Sequence, residues 1–567
     1  MTPRIRCARR IGYPRRNGSP LRGRVSTSLA ARLLVLVGPM AVVTACEPQR
    51  QASSADPDIP VTETVYADRA FERRLIDATR DYVLHAMRAH GTPGLNLAMG
   101  YRGELIWEAG FGWADVAAAK PMSPETVYHS GSLGKTYTAT AIMHLVDRGV
   151  IALDDPISRH LPFEVHNPLG DRDVTVHDLL THRSGLSGGG AKGVWDKPMP
   201  LEEALRASYA SDTSPLLGGT TPFWIGKVGA QFNYSNPGIA TLGLIVQTAN
   251  PDGLSFSDYV QRHIMDPLGM ESSQYPPAQH EDYVRPDIWE NMSTGYARMG
   301  SAWVPSVPLY FSHYPAGGVV AKPADHIRLL TAMMNGGEYD GYRVLEAGTV
   351  DEMLTPQYDE EIGPGIQVGL VWRLRNHGAR STSFAHAGGH MFGWRTEGYG
   401  WPELGVTLMV AHNQWSLPDP SPEGGMITGF VEDWLMGEPP DVDLTQASAE
   451  WAWKVSYVRG VTYAAMFRMF VGVEGEIPAD GLEEAIASTR VRPGGREDWD
   501  PEGFKAGLSD IREAGFGYEE VNGFWASEAS RVTVEEAEVI LRELGARFPG
   551  SSAVMFPLAR GEGGGSG

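Results

Sequence analysis

A glycine turn running into a helix that is apolar around most of its girth constrains this chain more than any other stretch. Tyr128-His129-Ser130-Gly131-Ser132-Leu133-Gly134-Lys135-Thr136 opens a segment predicted to stay helical to about Arg148, where Gly149 stops it. Leu133, Tyr137, Ala141, Ile142, Leu145 and Val146 give it so broad an apolar face that it must be buried. Any fold the chain adopts has to enclose this helix and hold its first turn rigidly. That turn carries Ser132 and Lys135. Residues three apart share a helix face, so the hydroxyl and the amine can lie side by side. A helix N-terminus adds free backbone N–H groups and a positive field. A serine nucleophile needs such surroundings: a base for its proton, and donors for the charge that develops on the substrate.

The chain has 567 residues, which suggests two or three domains. Its hydrophobic content of 42% suits an ordinary core and is too low for a multi-span membrane protein. The net charge is −21, yet residues 1–45 hold nine arginines, no lysine and no acid, so the remainder stands at −21 − 9 = −30. An acidic surface of that kind argues against nucleic-acid binding. Cys7 and Cys46 are the two cysteines. The apolar run Leu33 to Cys46 follows the arginines, is too short to span a bilayer comfortably and ends in small residues, as a secretory signal does. Val43-Thr44-Ala45-Cys46 resembles the bacterial lipobox, whose cysteine is lipidated and becomes the mature N-terminus; an uncleaved N-terminal anchor is the alternative.

The expected organisation is therefore a lipoprotein signal peptide over 1–45, a tether over 46–66 and a folded domain over 67–440. A helical C-terminal region over 441–556 and a disordered Gly/Ser tail over 557–567 complete it. The expected location is outside the cytoplasm, membrane-anchored through lipid on Cys46 and facing the periplasm or the cell surface. Within the folded domain a first helix is predicted over 67–89, and a hairpin from Leu95–Met99 and Leu105–Ala109. Short helices are expected at Val176–His182 and Ile239–Gln247, and a longer one at Pro323–Asn335. Strand-like runs return at Gln367–Leu374, Ser381–His386, near Trp394 and at Val406–Val410, before a closing helix at Met426–Met436. Strands at both ends with helices inserted between them predict an α/β (α+β) fold: an antiparallel sheet flanked by helices, plus a mostly helical lobe.

A lone Ser-x-x-Lys carries little information. Here Phe232-Asn233-Tyr234-Ser235-Asn236 puts a phenol and an amide on a loop before a helix, and Phe384-Ala385-His386-Ala387-Gly388-Gly389 puts an imidazole and glycines at a strand end. Ser-x-x-Lys, Tyr-Ser-Asn and a Lys/His-x-Gly strand, in this order, resemble the serine β-lactamase and penicillin-binding-protein family, in its class C and esterase branch. The segments Thr175–Leu186, Tyr314–Val320 and Gly405–Asn413 also match that branch, and the resemblance covers about 70 to 435. It implies a β-lactamase-like fold and an acyl-enzyme on Ser132, with Lys135 and Tyr234 as general base and acid. It also implies that Asn236 holds Lys135 and the substrate, that the N–H groups of Ser132 and Gly389 form the oxyanion hole, and that His386 and Gly388 line the substrate strand.

Two departures bear on substrate. The triplet is His386-Ala387-Gly388 rather than Lys-Thr-Gly. Imidazole is mostly neutral at pH 7, and alanine has no hydroxyl for a substrate carboxylate. The expected activity is therefore hydrolysis of a carboxylic ester or small amide. The alternatives are β-lactamase or D-alanyl-D-alanine carboxypeptidase activity and, from another class, a catalytically silent binding lipoprotein. The expected partners are a small ester, amide or peptide substrate and the membrane, with no cofactor and no nucleic acid. Each residue has a plainer reading too: Ser132 as an N-cap, Tyr234 as a loop brace, His182 as a structural hydrogen-bonding residue, and Asp325 as a complement to a helix dipole. His386 and His390 stand four apart, but no carboxylate or cysteine cluster accompanies them to suggest a metal. Residues 534–553 resemble one tetratricopeptide-like unit, which cannot bury a repeat core alone.

Overall fold

The computed structural model describes residues 59–437 apart from short internal segments, the longest of them 211–222. The signal peptide, Cys46, most of the tether, the helical region over 441–556 and the tail over 557–567 lie outside the described residues.

The first described strand, β1 (Val61–Val65), falls inside the stretch expected to be tether. It pairs with the second strand of the predicted hairpin, from Val61↔Phe111 to Val65↔Trp107, and buries Glu63 against the Trp107 indole and Arg80. The folded domain thus begins before residue 67. Helix α1 spans Ala70–His90. The hairpin is β2 (Gly94–Tyr101) and β3 (Glu104–Asp115), turned at Arg102 and Gly103, both with positive φ.

The apolar helix is α2 (Lys135–Asp147), and it is buried along nearly its whole length. After it come α3 (Val176–Leu180), α4 (Asn236–Ala249) and α5 (Pro323–Met334). The predicted strand at 367–374 is two strands, β4 (Ile366–Val368) and β5 (Arg373–Asn376). The link between them gives its Leu370 and Val371 N–H groups to the Met353 and Leu180 carbonyls, so its backbone leaves the ladder. Then follow β6 (Thr382–His390), β7 (Trp394–Trp401), β8 (Val406–His412) and the closing α6 (Pro422–Met436).

Among the described residues the main sheet has nine strands and runs β1-β3-β2-β8-β7-β6-β5-β4, with a two-residue strand added to β3. Every pairing along it is antiparallel. Joining β2 to β8 brings together segments about 300 residues apart, which closes the sheet around the helical insertion between them.

Side chains alternate across the sheet. Leu95, Leu97, Met99, Leu408 and Val410 pack with Leu75, Ile76, Val83 and Met87 of α1 and Ile427 and Val431 of α6. Ala98, Met409 and Ala411 face the other way, onto Ile327 and Leu330 of α5. That second core continues without a break into the helical lobe, where α2 packs against Ile239, Leu242 and Ile245 of α4. The turn that carries Ser132 lies where sheet and lobe meet.

Candidate active site

Ser132 does not open the α-helix. It sits in a single 3-10 turn, Gly131–Gly134, and α2 begins at Lys135. The change tightens the pairing, because at three residues per turn positions i and i+3 eclipse. Gly131 has φ +56, and a Cβ there would lie 2.6 to 2.7 Å from the backbone of Gly389. The Ser130 carbonyl accepts from Thr396 of β7 at 2.6 Å, while its N–H and hydroxyl both donate to the Val319 carbonyl at 2.9 Å. The turn is therefore clamped between β6–β7 and the segment after Gly317, and its position is imposed from outside α2.

Lys135 Nζ lies 2.9 Å from Ser132 Oγ and donates to the Ala316 carbonyl at 2.6 Å. That carbonyl belongs to a turn fixed in its own right: Thr138 and Tyr275 both donate to the neighbouring Pro315 carbonyl at 2.6 Å. Lys135 is fully buried. Burial, reinforced by the positive charge of Arg373, holds its amine well below the ordinary lysine range. Ser132 itself is only half-buried, whereas Lys135 is wholly enclosed.

Tyr234 is brought to the same place: the Lys135 amine lies 4.9 Å from the centroid of its ring. Asn236 is close but placed otherwise than expected. It is the first residue of α4, and its amide donates to the Gly188 carbonyl at 3.4 Å. The Lys135 amine turns to Ser132 and Ala316 instead, because the Ala316 carbonyl is aimed at it by a rigid turn. His182 is buried beside Tyr234, with ring centroids 4.5 Å apart. Burial, then Lys135 and Arg373, push its imidazole well below the ordinary histidine range.

On the sheet side, β5 pairs with β6 only from Thr382 to Ala385. Past that point the 3-10 turn takes the place of β5 alongside β6, so His386 to Gly389 lie beside the turn that carries Ser132. His386 is buried and directs Nδ1 to the Ala387 carbonyl at 2.7 Å. Burial, Arg373 and Lys135 hold it neutral, outweighing that carbonyl's opposite pull. Gly388 and Gly389 give the nucleophile turn its room. Asp325 is buried and accepts from the Ser272 N–H and the Ser273 hydroxyl, so it ties α5 to the lobe away from the nucleophile. Among the described residues no group of three or more His, Cys, Asp or Glu is placed to hold a metal ion.

Three contributors have no signature in the sequence pattern: the Ala316 carbonyl, Arg373 and the contact of His182 with Tyr234. The first is a backbone atom that any residue could supply. Arg373 could have been suspected from its place opposite Ala385, had the β5–β6 register been known.

A family model described as Beta-lactamase matches residues 79–426. The chain belongs to the β-lactamase family. Its relatives in that family include the putative penicillin-binding protein PbpX of Bacillus subtilis, 27% identical over 278 residues, which are 49% of this chain and 62% of that protein. The esterase EstB of Burkholderia gladioli is 27% identical over 374 residues, 60% of this chain and 89% of the esterase. The chain thus spans less than two thirds of the length of the first of these and most of the second. The fold is shared with the D-amino acid amidase of Ochrobactrum anthropi SV3, solved with D-phenylalanine, at a TM-score of 0.51 and 24% identity over 64% of this chain and 98% of the amidase. This is the β-lactamase fold, with the predicted antiparallel sheet, flanking helices and helical lobe in place.

Proposed function

We propose that the protein hydrolyses a carboxylic ester or small amide through an acyl-enzyme on Ser132. The observation that carries this is the buried Lys135 amine 2.9 Å from Ser132 Oγ. An amine whose proton is destabilised by burial and by Arg373 gives that proton up more readily than an ordinary lysine and so is better able to act as a base. As Oγ bonds to the substrate carbonyl carbon, its proton passes to Lys135. The carbonyl oxygen takes up the electron pair, facing the N–H groups of Ser132 and Gly389, each worth about 3 kcal/mol to such an oxyanion. Collapse expels the alcohol or amine, which leaves with a proton drawn from the Lys135–Tyr234 pair. Water, deprotonated by the same pair, then attacks the ester on Ser132 and releases the acid.

The likeness to EstB, and the Ala387 position without a hydroxyl, support the ester or amide substrate. A second reading, hydrolysis of a β-lactam or a D-alanyl peptide, is favoured by one observation. The Arg373 charge acts on Lys135, His182 and His386 together, which makes the cleft more attractive to a carboxylate than its neutral imidazoles would.

The purified protein and its Ser132→Ala variant should be compared on a short-chain 4-nitrophenyl ester, a chromogenic cephalosporin and a D-alanyl-D-alanine peptide. Ester turnover that vanishes in the variant is the expected result. Equal rates for both proteins on any substrate turned over would remove Ser132 as nucleophile, and no turnover of any substrate by either would leave a binding lipoprotein as the reading. Cephalosporin turnover far above ester turnover would install the second reading.

A further inference from the structure

Tyr234 stands on a loop, and a phenol on a loop is only as well placed as the loop itself. Residues 232–235 all engage His182. The Ser235 N–H donates to His182 Nδ1 at 3.1 Å, and the Asn233 N–H donates to the His182 carbonyl at 2.7 Å. The imidazole lies against the Tyr234 ring at 4.5 Å and 38°, with Phe232 edge-on at 5.6 Å and 83°. An imidazole that accepts at Nδ1 is neutral and carries its proton on Nε2. His182 has φ +57, a left-handed conformation that few side chains adopt. Arg183 extends the grip: its carbonyl accepts from the Gly229 N–H at 2.7 Å, and its guanidinium lies 3.8 Å over the Tyr358 ring while pairing with Glu360. The loop before α4 is thus anchored at both ends to two consecutive residues after α3.

We propose that His182 is a positioning residue for hydrolysis: as the neutral Nε2–H tautomer it holds, through Nδ1 and its carbonyl, the loop that presents Tyr234 to Lys135. This deepens the acyl-enzyme reading and rests on it. It goes beyond a general structural role because the bonds it makes are to the two residues flanking the phenol. Misplacing a reacting group by about 1 Å costs on the order of 100-fold in rate.

The test uses His182→Gln and His182→Asn in the full chain. Asparagine places an acceptor oxygen near the position of Nδ1 and tolerates positive φ. Glutamine carries its acceptor one carbon too far. With a 4-nitrophenyl ester, His182→Gln should lose roughly 100-fold in kcat with KM within about a factor of two, and His182→Asn should regain about tenfold or more of the loss. Equal losses in the two variants, or a loss confined to KM, or a wild-type kcat in His182→Gln would each overturn the proposal. Ser132→Ala, assayed alongside, separates the two levels. If it is inactive while His182→Gln is unimpaired, the positioning role falls and the acyl-enzyme stands. If it is fully active, both fall.

Discussion

The Ser130 carbonyl oxygen occupies the space that a side chain on Gly388 would need: a Cβ built on Gly388 lies 1.8 Å from it. The contact joins the segment that leads into the Ser132 turn to β6, backbone to backbone. Gly388→Ala should therefore push the turn off β6. An overpacked site of this kind costs about 1–3 kcal/mol. A lowered melting temperature together with a large loss of kcat/KM is expected. A variant as stable and active as the parent would show that the turn is not seated against Gly388.

Ester hydrolysis should depend on pH through Lys135. Only the neutral amine can take the Ser132 proton, so the rate rises as pH climbs through the Lys135 titration, and burial and Arg373 set that titration well below the ordinary lysine range. In Arg373→Gln a repelling charge is gone, the amine keeps its proton to higher pH, and the rising limb of kcat/KM should move alkaline. A limb that stays put or moves acid in that variant contradicts the assignment. Lys135→Arg should lose roughly 100- to 10,000-fold at every pH, since a guanidinium does not give up its proton.

Ala387 should be a lever on substrate charge. It is half-buried on β6 next to the buried, neutral His386. Ala387→Thr supplies a hydroxyl that can donate to a carboxylate, an interaction worth about 1.5–3 kcal/mol. Inhibition of ester turnover by benzylpenicillin should strengthen about tenfold or more in the variant, with neutral-ester kcat/KM little changed. No gain would mean that the carboxylate does not reach this strand.

We propose Cys46 as the site of lipid attachment. Metabolic labelling with an alkyne fatty acid should tag the full chain expressed in a bacterial host and should fail on Cys46→Ala, which should then leave the membrane fraction. Unchanged labelling and fractionation of the variant would count against the lipobox reading of 43–46.

Much of the site was legible because it is built from short-range chemistry. Ser132 and Lys135 are three apart, so almost any helical turn brings them together, and the 3-10 turn does it more closely than the α-helix expected there. The sheet strands declared themselves by length and bounding turns. The exceptions are instructive. The five residues of β1 look like the end of a tether until β3 offers them a partner, and the run at 367–374 is one strand by composition but two by hydrogen bonding.

Sequence alone determined which groups could react, since spacing along a chain sets which side chains share a face. Only the tertiary structure decided in what state they meet. The Lys135 amine holds its proton less tightly than an ordinary lysine because folding takes it out of water and brings Arg373 near, and the carbonyl of Ala316 is aimed at it from 181 residues away. Tyr234 is presented by His182, 52 positions earlier in the chain, rather than by its own neighbours. Protonation and alignment depend on local dielectric, nearby charge and backbone dipoles, and these come into being only when distant segments pack together.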